Sequence, residues 1–262
     1  MTAPTVDDVV ARLRADPERT ALLFDFDGTL SPVVDDPAAA RPAPGAAEAL
    51  DALAARYRTV AVVSGRPVSY LAAHLPPSLA LSGLYGLESM VDGVERDHPE
   101  AERWRPVVAE ATADALVHTG PGAHLEGALV ESKGLSMTIH VRTRPDLAAA
   151  VEAVAHEVAA RHGLEVRPAK RSYELHPPIA ADKGTAARAL LAGSEIGSYA
   201  GDDVGDVDAF DALAAARRGG ELADAVALAV GGPELPPAVA DRAELVLDDP
   251  ASMVLLLQRL AR

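Results

Sequence analysis

The chain predicts an α/β protein: a doubly wound parallel sheet into which a separate α+β unit is inserted. Three observations carry this expectation. Short apolar runs alternate with Ala- and Leu-rich helical segments over residues 1–103 and 179–262. Between them, over residues 104–178, the pattern changes to helix, hairpin, helix and strands with no parallel crossover signature. Third, acidic residues and glycine follow directly on two of the apolar runs, and the carboxyl ends of parallel strands are where open α/β sheets bind ligands.

Taken in order, Thr5–Arg14 reads as an opening helix. Ala21-Leu22-Leu23-Phe24 is short and apolar enough for a buried strand, bounded by the polar Glu18-Arg19-Thr20. Asp25-Phe26-Asp27-Gly28-Thr29-Leu30 follows at once. Period-two alternation places Asp25 and Asp27 on one side of the backbone and turns Phe26 into packing. Gly28 permits a sharp turn and a close approach to a ligand, and Ser31-Pro32 cannot continue a ladder. After a Pro-rich loop, Gly45–Arg56 is a helix and Thr59–Val63 a second buried strand, ending at Ser64-Gly65-Arg66. Pro67 suits the first position of a helix running to about His74. Leu79–Glu95 reads as short strands and turns punctuated by Gly83, Gly86 and Gly93.

In the insert, Pro99–His118 is expected as a helix closed by Gly120-Pro121-Gly122. Gly127–Glu131 and Leu135–Arg142 are strands, the second setting Met137, Ile139 and Val141 against Ser136, Thr138, His140 and Arg142. Pro145–His162 carries apolar residues along one helical face and Gly163 ends it. Leu164–Arg167 and Ser172–His176 are further strands. The alternation then resumes: helix Lys183–Ala192, strand Gly197–Ala200, helix Asp206–Arg217, strand Val226–Val230, and helix Ala251–Ala261 capped by Asp249-Pro250.

Composition narrows the chemistry. Of the 262 residues 49% are hydrophobic, enough for a substantial core, and no run is long enough to cross a bilayer. Lys and Arg total 24 against 39 for Asp and Glu, a net charge of −15 that makes nucleic acid and anionic membrane poor partners. An anionic substrate would need a few local cations and a metal. There is no cysteine, which excludes disulfides, zinc thiolates and thiol nucleophiles and fits a reducing compartment. Residues 1–16 lack the pattern of a signal peptide, so the expectation is a soluble, cytoplasmic protein. Only three lysines occur, Lys133, Lys170 and Lys183, in a chain that otherwise uses Arg.

The second acidic stretch is Gly201-Asp202-Asp203-Val204-Gly205-Asp206-Val207-Asp208-Ala209-Phe210. Helix capping accounts for Asp206 or one neighbour, but less easily for Asp202 and Asp203 side by side after a strand and a glycine. If they share a crevice with Asp25 and Asp27, four carboxylates meet, and hard oxygen ligands of that kind suit Mg²⁺. Lys183 opens a helix after Asp182; a cation there opposes the macrodipole, whereas a phosphate-binding role explains it. Ser64 reads equally as a phosphate contact or as an ordinary cap of the helix that follows. His156-Glu157 with His162 has the wrong spacing for a zinc helix.

DFDGT, a strand-terminal Ser, a Lys and GDD, in that order, resemble the haloacid dehalogenase-like phosphatases. Gly83-Leu84-Tyr85-Gly86, Val130-Glu131-Ser132-Lys133-Gly134, His140-Val141-Arg142, Tyr173-Glu174-Leu175 and GDDVGDVDAF resemble the trehalose-6-phosphate phosphatases among them. The resemblance implies a core at 1–103 and 179–262 and a cap at 104–178 that closes over a sugar. It implies Asp25 as nucleophile, Asp27 as acid and base, and Lys183, Thr29 and Ser64 around the phosphate, with Arg66 a further phosphate candidate. It implies Mg²⁺ at Asp25, Asp27 (through its carbonyl) and Asp202, with Asp203 and then Asp206 behind them. For the sugar it points to Glu131, Lys133, Glu174 and Arg142; the plainer alternative for the first three is a solvent-exposed cross-strand ion pair, which would be worth little, and in a chain so poor in lysine sugar contact is the favoured reading. The expected reaction is hydrolysis of trehalose 6-phosphate by a monomer. The rivals are action on another sugar phosphate such as sucrose 6-phosphate, a phosphomutase, and a catalytically silent module that binds a sugar phosphate.

Overall fold

Strands covered on both faces need unbroken apolar runs, and Thr20–Phe24 is buried at every residue. The computed structural model describes residues 4–34, 36–169, 171–231 and 235–262. The first part of the chain forms α1 (Val6–Leu13), β1 (Thr20–Phe24), α2 (Ala46–Ala54), β2 (Thr59–Val63), α3 (Val68–His74), β3 (Ala80–Gly83), β4 (Glu88–Val91) and β5 (Val94–Asp97). The insert follows with α4 (Arg105–Thr119), β6 (Leu129–Ser132), β7 (Met137–His140), α5 (Ala148–His162), β8 (Glu165–Ala169) and β9 (Ser172–His176). The last part adds α6 (Lys183–Leu191), β10 (Ile196–Gly201), α7 (Val207–Arg218), β11 (Asp224–Val230), α8 (Pro237–Ala240), β12 (Leu245–Leu247) and α9 (Pro250–Ala261).

Two compact units result: the chain up to Arg96 together with Ala181–Arg262, and Asp97–Ala180. The first unit holds an eight-stranded sheet in the order β12-β11-β10-β1-β2-β3-β4-β5. Its strands from β12 to β3 pair in parallel, and β4 returns antiparallel to β3. Alternation along β1 splits the core in two, as a doubly wound sheet demands. Leu22 and Phe24 pack with Leu13 of α1, Leu53 of α2, Leu71 of α3 and Leu257 of α9. Ala21 and Leu23 pack with Leu191 of α6 and Phe210 and Leu213 of α7. The second unit is a four-stranded antiparallel sheet, β6-β7-β9-β8, whose Met137, Ile139 and Leu175 pack with Val108 and Ala111 of α4 and Val151 and Val158 of α5.

The elements differ from expectation where local signals are weak. The helix expected from Pro99 starts at Arg105, after a 3₁₀ turn at Glu102–Trp104, because Pro106 has no N–H and is accommodated only in a helix's first turn. β7 stops at His140, two residues before Arg142, because a turn closed by the Arg144 N–H on the Val141 carbonyl (3.0 Å) follows and Pro145 cannot extend a ladder. The short helix α8 and the three-residue β12 went unexpected, being too short to show a period. Lys170 lies outside the described residues. No helix among the described residues is long and apolar enough to cross a membrane.

Candidate active site

β1 is the strand at which the sheet reverses its order: the chain moves to β2 on one side and later to β10 on the other. Such a switch point opens a crevice at the carboxyl ends of the strands. Phe24 stands opposite Ala200 in the β1–β10 register, and the Asp25 N–H extends the ladder onto the Ala200 carbonyl at 2.8 Å. Asp25 and Asp202, 177 residues apart in the chain, therefore leave neighbouring strand ends together.

Lys183, the first residue of α6, reaches into this crevice and is buried. Its Nζ donates to Asp25 Oδ1 at 2.7 Å and to Asp206 Oδ1 at 2.6 Å. Asp206 is wholly buried and holds four donors: Lys183, the Tyr199 hydroxyl at 2.6 Å, and the N–H groups of Asp202 and Asp203 at 3.0 and 3.1 Å. It is the hub that fixes both the ammonium and the loop after β10. Two carboxylates thus share one ammonium. Burial, and next the Asp206 charge, push the Asp25 carboxyl well above its ordinary range, and Lys183 only partly pulls it back. Burial disfavours the Lys183 charge, but Asp206 and Asp25 together outweigh it and hold the ammonium well above the usual lysine value. Burial and then Asp206 push the Tyr199 phenol up, so it stays a donor.

The turn after β1 fits only because residue 28 is glycine. Gly28 has φ +88°, and a Cβ there would overlap the Asp202 carboxylate. Thr29 is buried with its hydroxyl 3.4 Å from Asp202 Oδ1. Ser64 is buried at the end of β2, and its Oγ accepts the Arg66 N–H at 3.2 Å, the cap-like contact that the sequence left open. Arg66, expected on phosphate, spends its fork elsewhere. Its Nε and Nη2 donate to the two oxygens of Asp27, both at 2.7 Å, its Nη1 donates to the Pro37 carbonyl at 2.7 Å, and its guanidinium lies 4.4 Å from the Tyr70 ring centre. Asp203 accepts the Val204 N–H at 2.6 Å and so caps the turn after it.

The carboxylates that gather are Asp25, Asp202 and Asp206, each bringing one oxygen within 4.8 Å of the others. Asp203, expected behind the metal ligands, gives its carboxylate to backbone, and Asp27, expected at the metal through its carbonyl, turns its carboxylate to Arg66. The donor set suits a hard divalent cation: three buried carboxylates gather, and the one ammonium beside them pairs with two, Asp25 and Asp206. Asp206 is already engaged by four donors and so serves as the fixed back of this cluster, with Asp25 and Asp202 at the strand ends in front of it. Asp206 and Tyr199 are the site residues whose part the local sequence pattern hides. An acid four residues after Asp202 reads as a helix cap, and a Tyr within an apolar strand reads as core.

In the second unit a row of residues crosses one sheet face, with Glu131 opposite Thr138 and Thr138 opposite Glu174. Lys133 Nζ donates to Glu174 Oε2 at 2.9 Å, and Thr138 Oγ1 lies 3.5 Å from the same oxygen. His140 Nε2 and Glu131 Oε2 are 2.8 Å apart. Among the described residues, Glu174 Oε1 and His140 Nδ1 are buried with no hydrogen-bond partner. A buried polar atom of that kind is costly unless a ligand satisfies it. Arg142, half-buried, stands in the turn beyond β7 and outside this row.

Comparison with known proteins gives one consistent family. The family described as trehalose-phosphatase matches residues 23–230. A trehalose-phosphate phosphatase of Mycobacterium leprae is 35% identical over 226 residues, covering 81% of this chain and 50% of its own length. The chain therefore spans about half the length of the curated relatives it matches. Among solved structures, the C-terminal domain of a C. albicans trehalose-6-phosphate phosphatase superposes with a TM-score of 0.78 at 24% identity, covering 99% of this chain and 97% of that one. A haloacid dehalogenase-like hydrolase from Bacteroides thetaiotaomicron gives a TM-score of 0.61 at 16% identity, covering 92% and 98%. These likenesses establish the fold, a haloacid dehalogenase-like core with an inserted cap.

Proposed function

Since the chain belongs to the trehalose-phosphatase family, we propose that it is a phosphatase that hydrolyses trehalose 6-phosphate to trehalose and inorganic phosphate with Mg²⁺, acting in the cytoplasm as a monomer. The observation that supports it most is the buried Lys183 bridging Asp25 and Asp206 at the switch point, beside Asp202.

In this reading Asp25 attacks phosphorus in line and forms an aspartyl-phosphate. Lys183 holds the carboxylate in place and offers its charge to the phosphoryl oxygens. Thr29 and Ser64, at the ends of β1 and β2, stand where hydroxyls and backbone N–H groups can hold those oxygens. Asp27, oriented by Arg66, gives a proton to the departing sugar oxygen and takes one from the water that cleaves the intermediate. Bound at Asp25 and Asp202, Mg²⁺ would neutralise charge that otherwise repels the nucleophile from the phosphate. Glu131, Lys133 and Glu174 recognise the sugar hydroxyls, and the unsatisfied Glu174 Oε1 is an acceptor suited to one of them.

Phosphate release should be measured across trehalose 6-phosphate, sucrose 6-phosphate and glucose 6-phosphate, with and without Mg²⁺. The expected outcome is a preference for trehalose 6-phosphate of at least about tenfold, loss of turnover in Asp25→Asn, and a raised KM in Glu131→Ala. Equal rates on glucose 6-phosphate defeat the disaccharide assignment. Failure to trap a phosphorylated Asp25 would leave the silent binding module as the better reading.

A further inference from the structure

The Gly83–Gly86 turn has no part in the mechanism above, yet it carries backbone that is costly to keep. Leu84 and Tyr85 both have positive φ, 48° and 58°. For bulky residues in succession this is a true outlier, and such strain persists only where the surroundings enforce it. They do so here. The Leu84 side chain is fully buried, its N–H donates to the Arg66 carbonyl at 3.0 Å, and the Tyr85 N–H donates to the Ser64 carbonyl at 3.1 Å. Glycine or asparagine at position 85 would relieve the strain. The chain keeps a tyrosine.

The ring's position explains why. A Cβ on Gly65 would stand 2.7 Å from Tyr85 Cζ and Oη, so the phenol end lies over the residue after Ser64. A Cβ on Gly205 would stand 3.9 Å from Tyr85 Cε1. Gly65 follows β2 and Gly205 follows β10, the two strands that flank β1. A ring that lies beside both of these loops sits between the ends of the two strands that flank β1, the strand that Asp25 follows. The turn also rests on the first turn of α6: a Cβ on Gly86 would be 3.6 Å from the Asp182 carbonyl oxygen and from Ala186 Cβ, next to Lys183. Tyr85 is half-buried.

We propose that Tyr85 is a substrate-contacting residue, its phenol donating a hydrogen bond to an oxygen of the phosphate held over Asp25, and that the strained Leu84-Tyr85 backbone exists to present it there. The proposal rests on the phosphate-binding half of the reading above and is independent of which sugar is attached. A donor to a charged oxygen is stronger than one to a neutral group, so its loss should be visible in affinity.

The test is calorimetric titration of the Mg²⁺-loaded protein with inorganic phosphate, with melting curves recorded alongside. Tyr85→Phe keeps the ring and should weaken phosphate binding about tenfold with an unchanged melting temperature, and kcat/KM should fall in step. Tyr85→Gly removes the strain at position 85 and should melt at the same temperature or higher while losing at least as much affinity. Phosphate affinity of Tyr85→Phe within twofold of the parent overturns the proposal. So does a fall of more than about 5 °C in the melting temperature of Tyr85→Gly, which would make the ring a structural prop. If the parent protein ignores trehalose 6-phosphate while Tyr85→Phe still weakens phosphate binding, the substrate assignment fails and this proposal stands.

Discussion

Asp27 and Arg66 show at the scale of one residue how a side chain's meaning depends on what meets it. Either could be assigned to phosphate or metal from its place after a strand. In the fold the two pair fork to fork, and the Pro37 carbonyl and the Tyr70 ring fix the guanidinium from two further sides. Arg66 then acts by aiming Asp27. Arg66→Gln should lower kcat by about 10- to 100-fold, the scale of a misplaced catalytic group, while the KM for trehalose 6-phosphate and the inhibition constant of inorganic phosphate stay within about twofold. Arg66→Lys should not rescue, because an ammonium lacks the fork that engages both carboxylate oxygens. A parallel loss of phosphate inhibition in steady-state assays would return Arg66 to the phosphate.

At the scale of elements, the two ends of the sheet do different work. At the carboxyl end the turn after β1 leaves no room for a side chain at Gly28, so Gly28→Ala should lose at least about tenfold in activity and more than about 1 kcal/mol in stability, read by assay and urea midpoint. Arg12 of α1 ties down the region where β11 begins. It forks onto Asp224 at 2.8 Å through both Nε and Nη2 and reaches Glu244, just before β12, at 2.6 Å. These partners hold its guanidinium well above the usual arginine value. Arg12→Ala should therefore cost about 1–2 kcal/mol, the range for part-buried charged hydrogen bonds, with kcat unchanged. A change in kcat with no shift in the urea midpoint would contradict this division of labour.

For the whole molecule, the crowded carboxylates make stability depend on pH and on cations together. Burial raises the Asp25 carboxyl in the folded state, so its contribution is greatest below the unfolded value near 3.8 and is lost as pH rises through the folded value. Without divalent cations, Asp25→Asn should melt above the parent at neutral pH, and the difference should vanish toward pH 4. Mg²⁺ should raise the parent's melting temperature at neutral pH more than that of the variant. A gap that is constant with pH would show that Asp25 ionises freely in the fold. Much of this molecule was legible in the amino-acid sequence. Local patterns carry the period of the longer strands and helices, the glycine turn after β1, and the place of Lys183 at the start of a helix, because these depend on neighbours within a few residues. They do not carry the pairing of Asp27 with Arg66, the role of Asp206 as hub, the hydrogen bond that Tyr199 gives it, the strained turn at Tyr85, or β12. Each of these depends on groups that sheet order alone brings together, and side-chain hydrogen bonds reach only about 3 Å. The sequence by itself determined which chemical groups stand at the strand ends; the tertiary structure decided which of them share a proton, a charge or an ion, because it set which strands are neighbours.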